Sequence, residues 1–207
     1  MISRRGLLVL AGGALLPLPA AAEGEVRELS GDVRLNGYPM ARNSRIFADQ
    51  TVSTGVDGNV WFVFGGDAFF LRPRSELRLR SSRAGSALID ALRLITGAIG
   101  ATFEPGRPRS VVAGGATIGI RGTGVYVESS PLETYACTCF GATDMMSTAT
   151  GSMMESVRVA AVNHQARRIY LDPQMGMRVL AAPFERHTSE EIARLESLAG
   201  RPNPFRG

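Results

Sequence analysis

Between residues 25 and 80, apolar and polar positions alternate in short runs, and each run ends in turn residues. Gly31-Asp32-Val33-Arg34-Leu35-Asn36-Gly37 alternates and closes on Asn-Gly, the strongest short-range hairpin signal. Val52-Ser53-Thr54-Gly55 follows, then a turn at Asp57-Gly58-Asn59. Val60-Trp61-Phe62-Val63-Phe64 is β-branched and aromatic, and Gly65-Gly66-Asp67 turns the chain again. Ala68 to Pro73 reads as the next strand. In Glu76-Leu77-Arg78-Leu79-Arg80 the leucines fall on one face and the charges on the other. In Ser86 to Ile95, Leu88, Ala91, Leu92 and Ile95 fit a helical face and Leu88, Asp90, Leu92 and Leu94 fit a strand less well, so local pattern leaves it open; Thr96-Gly97-Ala98-Ile99-Gly100 reads as a strand end followed by a turn. β-character returns in Thr117 to Val127, Tyr135 to Phe140, Val157 to Val162 and Arg168 to Leu171.

The C-terminus changes period. Thr188-Ser189-Glu190-Glu191 is a capping box, Ile192, Leu195 and Leu198 share one helical face, and Gly200 and Pro202 stop the helix. Strands this short, separated by glycine, predict an all-β antiparallel roll or sandwich of many short strands with a short C-terminal helix, rather than a βαβ fold.

The first residues follow a different logic. Arg4 and Arg5 precede an uncharged apolar stretch from Gly6 to Pro19, and Ala20-Ala21-Ala22 offers small residues for cleavage before Glu23. The stretch is too short and too broken by glycine and proline to span a membrane, which takes about 20 continuous apolar residues. Residues 1–22 therefore read as a signal peptide, and the mature chain is expected in the periplasm with no membrane span. Ser3-Arg4-Arg5-Gly6-Leu7-Leu8 suits the twin-arginine route as well as the general secretory one. The three expected regions are the leader, a β-domain over 23–180, and a helix and tail over 181–207.

Charge narrows the partners. All 23 basic residues are arginine, against 19 acidic residues, and two of the arginines belong to the leader. No arginine run is interleaved with aromatics, so nucleic acid is not an expected partner.

Three segments together resemble the FecR-type periplasmic domain. The first is Gly31 to Gly37. The second runs from Asp49-Gln50-Thr51-Val52-Ser53-Thr54-Gly55 through Val60 to Phe64 and on to Leu71-Arg72-Pro73-Arg74-Ser75-Glu76-Leu77. The third is Thr117-Ile118-Gly119-Ile120-Arg121-Gly122-Thr123-Gly124-Val125-Tyr126-Val127, which is similar to the family's Arg-Gly-Thr signature followed by a strand. The resemblance covers about residues 25–145. It implies an all-β roll or sandwich, a strand over 86–95, and a non-catalytic sensing, docking or scaffold module whose partner is a periplasmic protein or an envelope polymer. The chain departs from the family's regulators, in which a cytoplasmic anti-sigma segment and a membrane span precede this domain. Within the signature, Arg121, Gly122 and Thr123 are candidate binding residues. Arg121 either pins a turn inside the fold or offers its donors to a ligand carboxylate.

The cysteines carry the sharpest candidate chemistry. Cys137 and Cys139, the only two, lie two residues apart, so in a strand both sulfurs and Tyr135 share a face. They fit structural thiols, a disulfide, or half of a soft-metal site. The bridge must span about 6.6 Å between Cα atoms in a regular strand, near the limit of disulfide geometry. The metal reading needs further ligands, because two thiolates underfill a tetrahedron. His164 is the candidate third ligand; the other histidine, His187, adjoins the final helix. Copper and zinc are the candidate ions. Met145, Met146, Met153, Met154, Met175 and Met177 add thioethers that suit copper(I), or else fill gaps in the core.

No Gly-x-Ser-x-Gly, HExxH, phosphate loop or CxxCH occurs, so no enzyme is expected. The sequence thus points to a non-catalytic binding or sensing module, with a soft-metal or thiol-redox protein and a structural envelope protein as alternatives.

Overall fold

The computed structural model describes residues 23–81, 89–147, 155–170 and 179–206. The expected signal peptide, Met153, Met154, Met175, Met177 and Leu171 lie outside the described residues.

Among the described residues, fifteen strands and one helix follow in order. The first eight are short: β1 (Gly24–Ser30), β2 (Val33–Leu35), β3 (Tyr38–Pro39), β4 (Arg45–Ile46), β5 (Thr51–Thr54), β6 (Asn59–Phe64), β7 (Asp67–Leu71) and β8 (Glu76–Arg80). Then come β9 (Ala91–Thr102), β10 (Pro108–Ala113), β11 (Ala116–Ser129), β12 (Glu133–Ser147), β13 (Ser156–Ala161), β14 (Gln165–Tyr170), β15 (Val179–Ala182) and α1 (Ser189–Leu198). The sheet does not close into a barrel among the described residues. The predicted Asn-Gly hairpin forms: Asn36 and Gly37 both take positive φ, and Leu35 faces Tyr38.

β9, β11 and β12 are long because each serves two layers. The second half of β9 pairs with β7 and β11, and its first half pairs with β8 and with β10. β12 meets β14 with its first half and β13 with its second, and follows β11 throughout. Each long strand bends near its middle at a glycine in the left-handed region: Gly97 (φ +79°), Gly122 (φ +60°) and Gly141 (φ +83°). Such a bend strains any residue with a Cβ. One layer therefore runs β15-β14-β12-β11-β9-β7-β6-β1-β4, and the other β13-β12-β11-β10-β9-β8-β5-β2-β3.

The expected all-β architecture of many short strands with a C-terminal helix is present, its ladders antiparallel apart from the parallel β9–β10 pair. Thr96 to Gly100 is no strand end and turn: β9 runs through it to Thr102, because Gly97 bends the strand without reversing it. The ambiguous stretch resolves as strand from Ala91 onward.

The main core lies between the layers. Phe62, Phe69, Leu71, Ile99, Val125 and Val127 come from the first layer and Val52, Leu77, Leu79, Leu92, Ile118 and Met145 from the second. The first layer is buried on its outer face as well. There Trp61, Val63, Phe70, Tyr126, Tyr135, Cys137 and Cys139 pack with Ile192 and Leu195 of α1. Two-sided burial explains why Val60 to Phe64 is apolar at consecutive positions instead of alternating.

The helix is fixed to this face as its sequence predicts. The Glu191 N–H donates to the Thr188 hydroxyl, and the Glu191 carboxylate accepts from the Thr188 N–H. Arg72 pairs with Glu191 at 2.7 Å, and Arg201 bonds Glu196 at 2.6 Å and Thr102 at 2.9 Å. Gly124 permits the close approach: a Cβ there would sit 2.4 Å from the Phe140 ring and 3.2 Å from Ile192.

Among the described residues, one ion pair is fully interior. Arg109 of β10 donates to Asp67 of β7 at 3.0 Å, with side chains 2% and 3% exposed. Burial pushes the Asp67 carboxyl above its usual range, despite the bonds from the Glu104 N–H and from Arg109. Arg109→Met removes the neutralising charge and strands a buried carboxylate. It should lower unfolding free energy by about 3–5 kcal/mol, read as a reduced urea midpoint at unchanged slope.

Candidate metal centre

The outer face of β12 carries the site. Tyr135, Cys137 and Cys139 alternate onto that face, where α1 and the residues before it cover them. Both cysteines are free thiols and both are 0% exposed.

Two histidines reach them from different parts of the chain. His164 sits at the corner between β13 and β14, where its N–H donates to the Cys139 carbonyl at 3.0 Å. Its backbone has φ +41°, a left-handed conformation that is uncommon for a residue with a side chain. That corner turns the imidazole inward, with Nδ1 at 3.8 Å from the Cys137 sulfur. His187 precedes α1, and its Nε2 lies 3.4 Å from the Cys139 sulfur. The four ligand atoms all lie within 4.8 Å of one another, and all four residues are buried.

The second nitrogen of each ring is also held. His187 Nδ1 lies 2.9 Å from the Glu185 carbonyl, which accepts its proton and leaves the Nε2 lone pair facing the sulfurs. His164 Nε2 lies 2.9 Å from the Ser189 hydroxyl. The rings are clamped by aromatics: His187 stacks on Tyr126 with centroids 4.4 Å apart, and His164 lies between Phe184 at 3.9 Å and Phe205 at 5.0 Å. Tyr135 completes the surroundings. Its hydroxyl donates to the Pro183 carbonyl at 3.0 Å and accepts from the Glu185 N–H at 3.1 Å. Burial pushes the Tyr135 phenol up to about 12.

The thiols behave as a pair. The hydrogen bond from Cys139, helped by the two imidazoles, pulls Cys137 below its usual range against the cost of burial. Burial first, and then the hydrogen bond with Cys137 and the charge there, push Cys139 up. One thiolate is favoured and a second is not, unless a cation joins them.

The spacing suits such a cation. Ligand atoms around a tetrahedral ion with bonds of ~2.3 Å to sulfur and ~2.1 Å to nitrogen stand about 3.4–3.8 Å apart. Two of the sulfur–nitrogen pairs fall in that range, at 3.8 and 3.4 Å, and the other ligand-atom pairs, all within 4.8 Å, would draw in around an ion. His187 is the ligand that spacing in the sequence does not connect to the others: it lies 48 residues beyond Cys139, and its position follows from the docking of α1.

The remaining candidates are placed elsewhere. Arg121, Gly122 and Thr123 form a bulge between β11 and β12, where the register slips between Arg121 and Gly124. Arg121 does not pin a turn inside the fold. Its side chain is 64% exposed and pairs across the ladder with Asp144 at 3.0 Å. Thr123 is buried, with its hydroxyl on the Gly124 carbonyl. A shallow depression borders Arg121 and Gly122, lined also by Pro105 and Pro108. Met145 packs in the core between the layers, apart from the cysteine face.

Two crystal structures of a "putative anti-sigma factor" from Parabacteroides distasonis share this architecture. Each superposes with a TM-score of 0.50 at 11% identity, over 65% of this chain and 60% of the other. The chain thus spans under two-thirds of that protein, and the likeness establishes a common fold. No protein-family model and no curated protein matches the sequence.

Burial and the free state of both sulfurs set an expectation for the isolated protein. In denaturant, two thiols per chain should react with a thiol reagent, and in native buffer neither should react at a comparable rate. A count of zero in denaturant would mean a Cys137–Cys139 bridge.

Proposed function

We propose that this chain is a non-catalytic binding module of the bacterial periplasm, in which a FecR-like β-scaffold holds one zinc-class ion on Cys137, Cys139, His164 and His187. The observation that carries this reading is the pair of imidazoles. Each turns one nitrogen toward a cysteine sulfur and has the other tied to an oxygen. That is how metal-ligating histidines are oriented.

A donor set of two sulfurs and two nitrogens favours zinc, which takes such ligands tetrahedrally. With four protein ligands the ion has no open position for substrate, which is the mark of a structural or regulatory site rather than a catalytic one. Full burial of both sulfurs argues against a thiol-redox role, which needs an accessible thiolate. The copper reading loses its main support where Met145, the methionine nearest in sequence to the pair, turns to the other core. The fold shared with the Parabacteroides protein supports a sensing or regulatory role, with a periplasmic protein or an envelope polymer as partner. The leader-like residues 1–22 support export.

Elemental analysis of the protein isolated from periplasm without chelators is the direct test. It should find one zinc per chain, and cobalt(II) should substitute with tetrahedral thiolate absorption bands. Cys137→Ser should lose most of the metal and melt at lower temperature, since binding to the folded state is worth about 4 kcal/mol when free zinc exceeds Kd a thousandfold. A chain with two free thiols that takes up neither zinc nor cobalt would overturn the metal reading, and copper in place of zinc would overturn the choice of ion. Intact mass should place the mature N-terminus at Glu23; recovery of the uncleaved chain from cytosol would overturn the location.

A further inference from the structure

We propose that the ion locks the C-terminal segment, from Phe184 to Phe205, onto the sheet, so that occupancy of the centre and docking of this segment rise and fall together. The inference rests on the metal reading above and adds regulation to it.

The ligands are divided unequally. Cys137 and Cys139 belong to β12, and His164 to the β13–β14 corner, so three of the four are set by the sheet. His187 belongs to the segment. The same segment supplies the Ser189 hydroxyl that holds His164, and the Phe184 and Phe205 rings that stack on it. Its Glu185 carbonyl accepts from His187 and from the Tyr135 hydroxyl. Lifting the segment therefore removes one ligand, frees a second and opens the site to water.

The reverse dependence follows from the helix. α1 has ten residues. A helix that short is marginal in water and forms because it is docked. Its apolar hold is small: Ile192 and Leu195 are its fully buried apolar residues. Half-buried Leu198 adds to it, and the polar ties to the sheet are Arg72 with Glu191, Arg194 with Glu28, Ser189 with His164, and Arg201, held by Glu196, with Thr102 and the Gly66 carbonyl. An ion that requires His187 adds its binding energy to this hold, and linkage makes the coupling mutual.

Amide hydrogen exchange on the mature protein, zinc-loaded and then stripped by chelator, tests the coupling. Amides of Ile192 to Leu198 should exchange about tenfold faster or more in the stripped protein, while those of β6 and β7 stay unchanged. His187→Ala should bind zinc more weakly, and zinc should no longer slow exchange in α1. Ile192→Ala, which removes no ligand atom, should weaken zinc binding by about tenfold through looser docking. Cobalt absorption reports binding in each variant independently of exchange. Zinc that binds the wild type yet leaves α1 exchange unchanged would overturn the coupling and leave the metal site standing. Unchanged zinc affinity in Ile192→Ala would do the same. Absence of any zinc or cobalt binding would overturn both.

Discussion

The layer that carries the first half of β12 must be covered on both faces, and the rest of the molecule is arranged to meet that requirement. Its inner face is closed by the second layer, through Phe62, Phe69, Leu71 and their partners. Its outer face exposes Trp61, Phe70, Tyr126 and Tyr135 to whatever lies above, and the chain's own C-terminal segment lies there. An uncovered aromatic surface of this extent is unfavourable in water, at roughly 25 cal/mol for each Å² of apolar area. The segment that supplies the cover also brings His187 and Ser189 to the cysteines. The candidate centre is thus a product of how the sheet is capped.

Polar groups decide where the cap sits. Apolar contact is non-directional, and a ten-residue helix could slide over an aromatic surface with little penalty. Arg72 with Glu191, and Arg201 with Glu196 and Thr102, fix its position. The capping box at Thr188 then fixes where the helix begins, and so where His187 and Ser189 lie relative to β12. Errors of an ångström at this stage would misplace an imidazole by as much as a coordination bond tolerates.

Much of this was legible in the sequence. Leu77 and Leu79 alternate with charges because β8 has one buried face, and Asn36-Gly37 names its turn. The spacing of Cys137 and Cys139 places both sulfurs on one face in any strand. Thr188 and Glu191 announce the helix start. The illegible parts share a cause. Gly97 resembles a turn residue locally, and its role as a bend within β9 depends on two partner strands distant in sequence. His187 is unconnected to the cysteines until α1 docks. Arg121 lies in a conspicuous signature, yet the bulge leaves its guanidinium in solvent against Asp144. Local pattern reads faces and turns; it does not read which distant segment covers a face.

The three bent strands have a mechanical consequence. Because β9, β11 and β12 run without interruption through both layers, neither layer can peel away while the other keeps its ladders. Loosening one end of any of these strands pulls on hydrogen bonds in both sheets at once. The β-body is therefore built to unfold as one cooperative unit, and the terminal segment, attached by side chains rather than by a ladder, is the piece able to move while that unit stays whole.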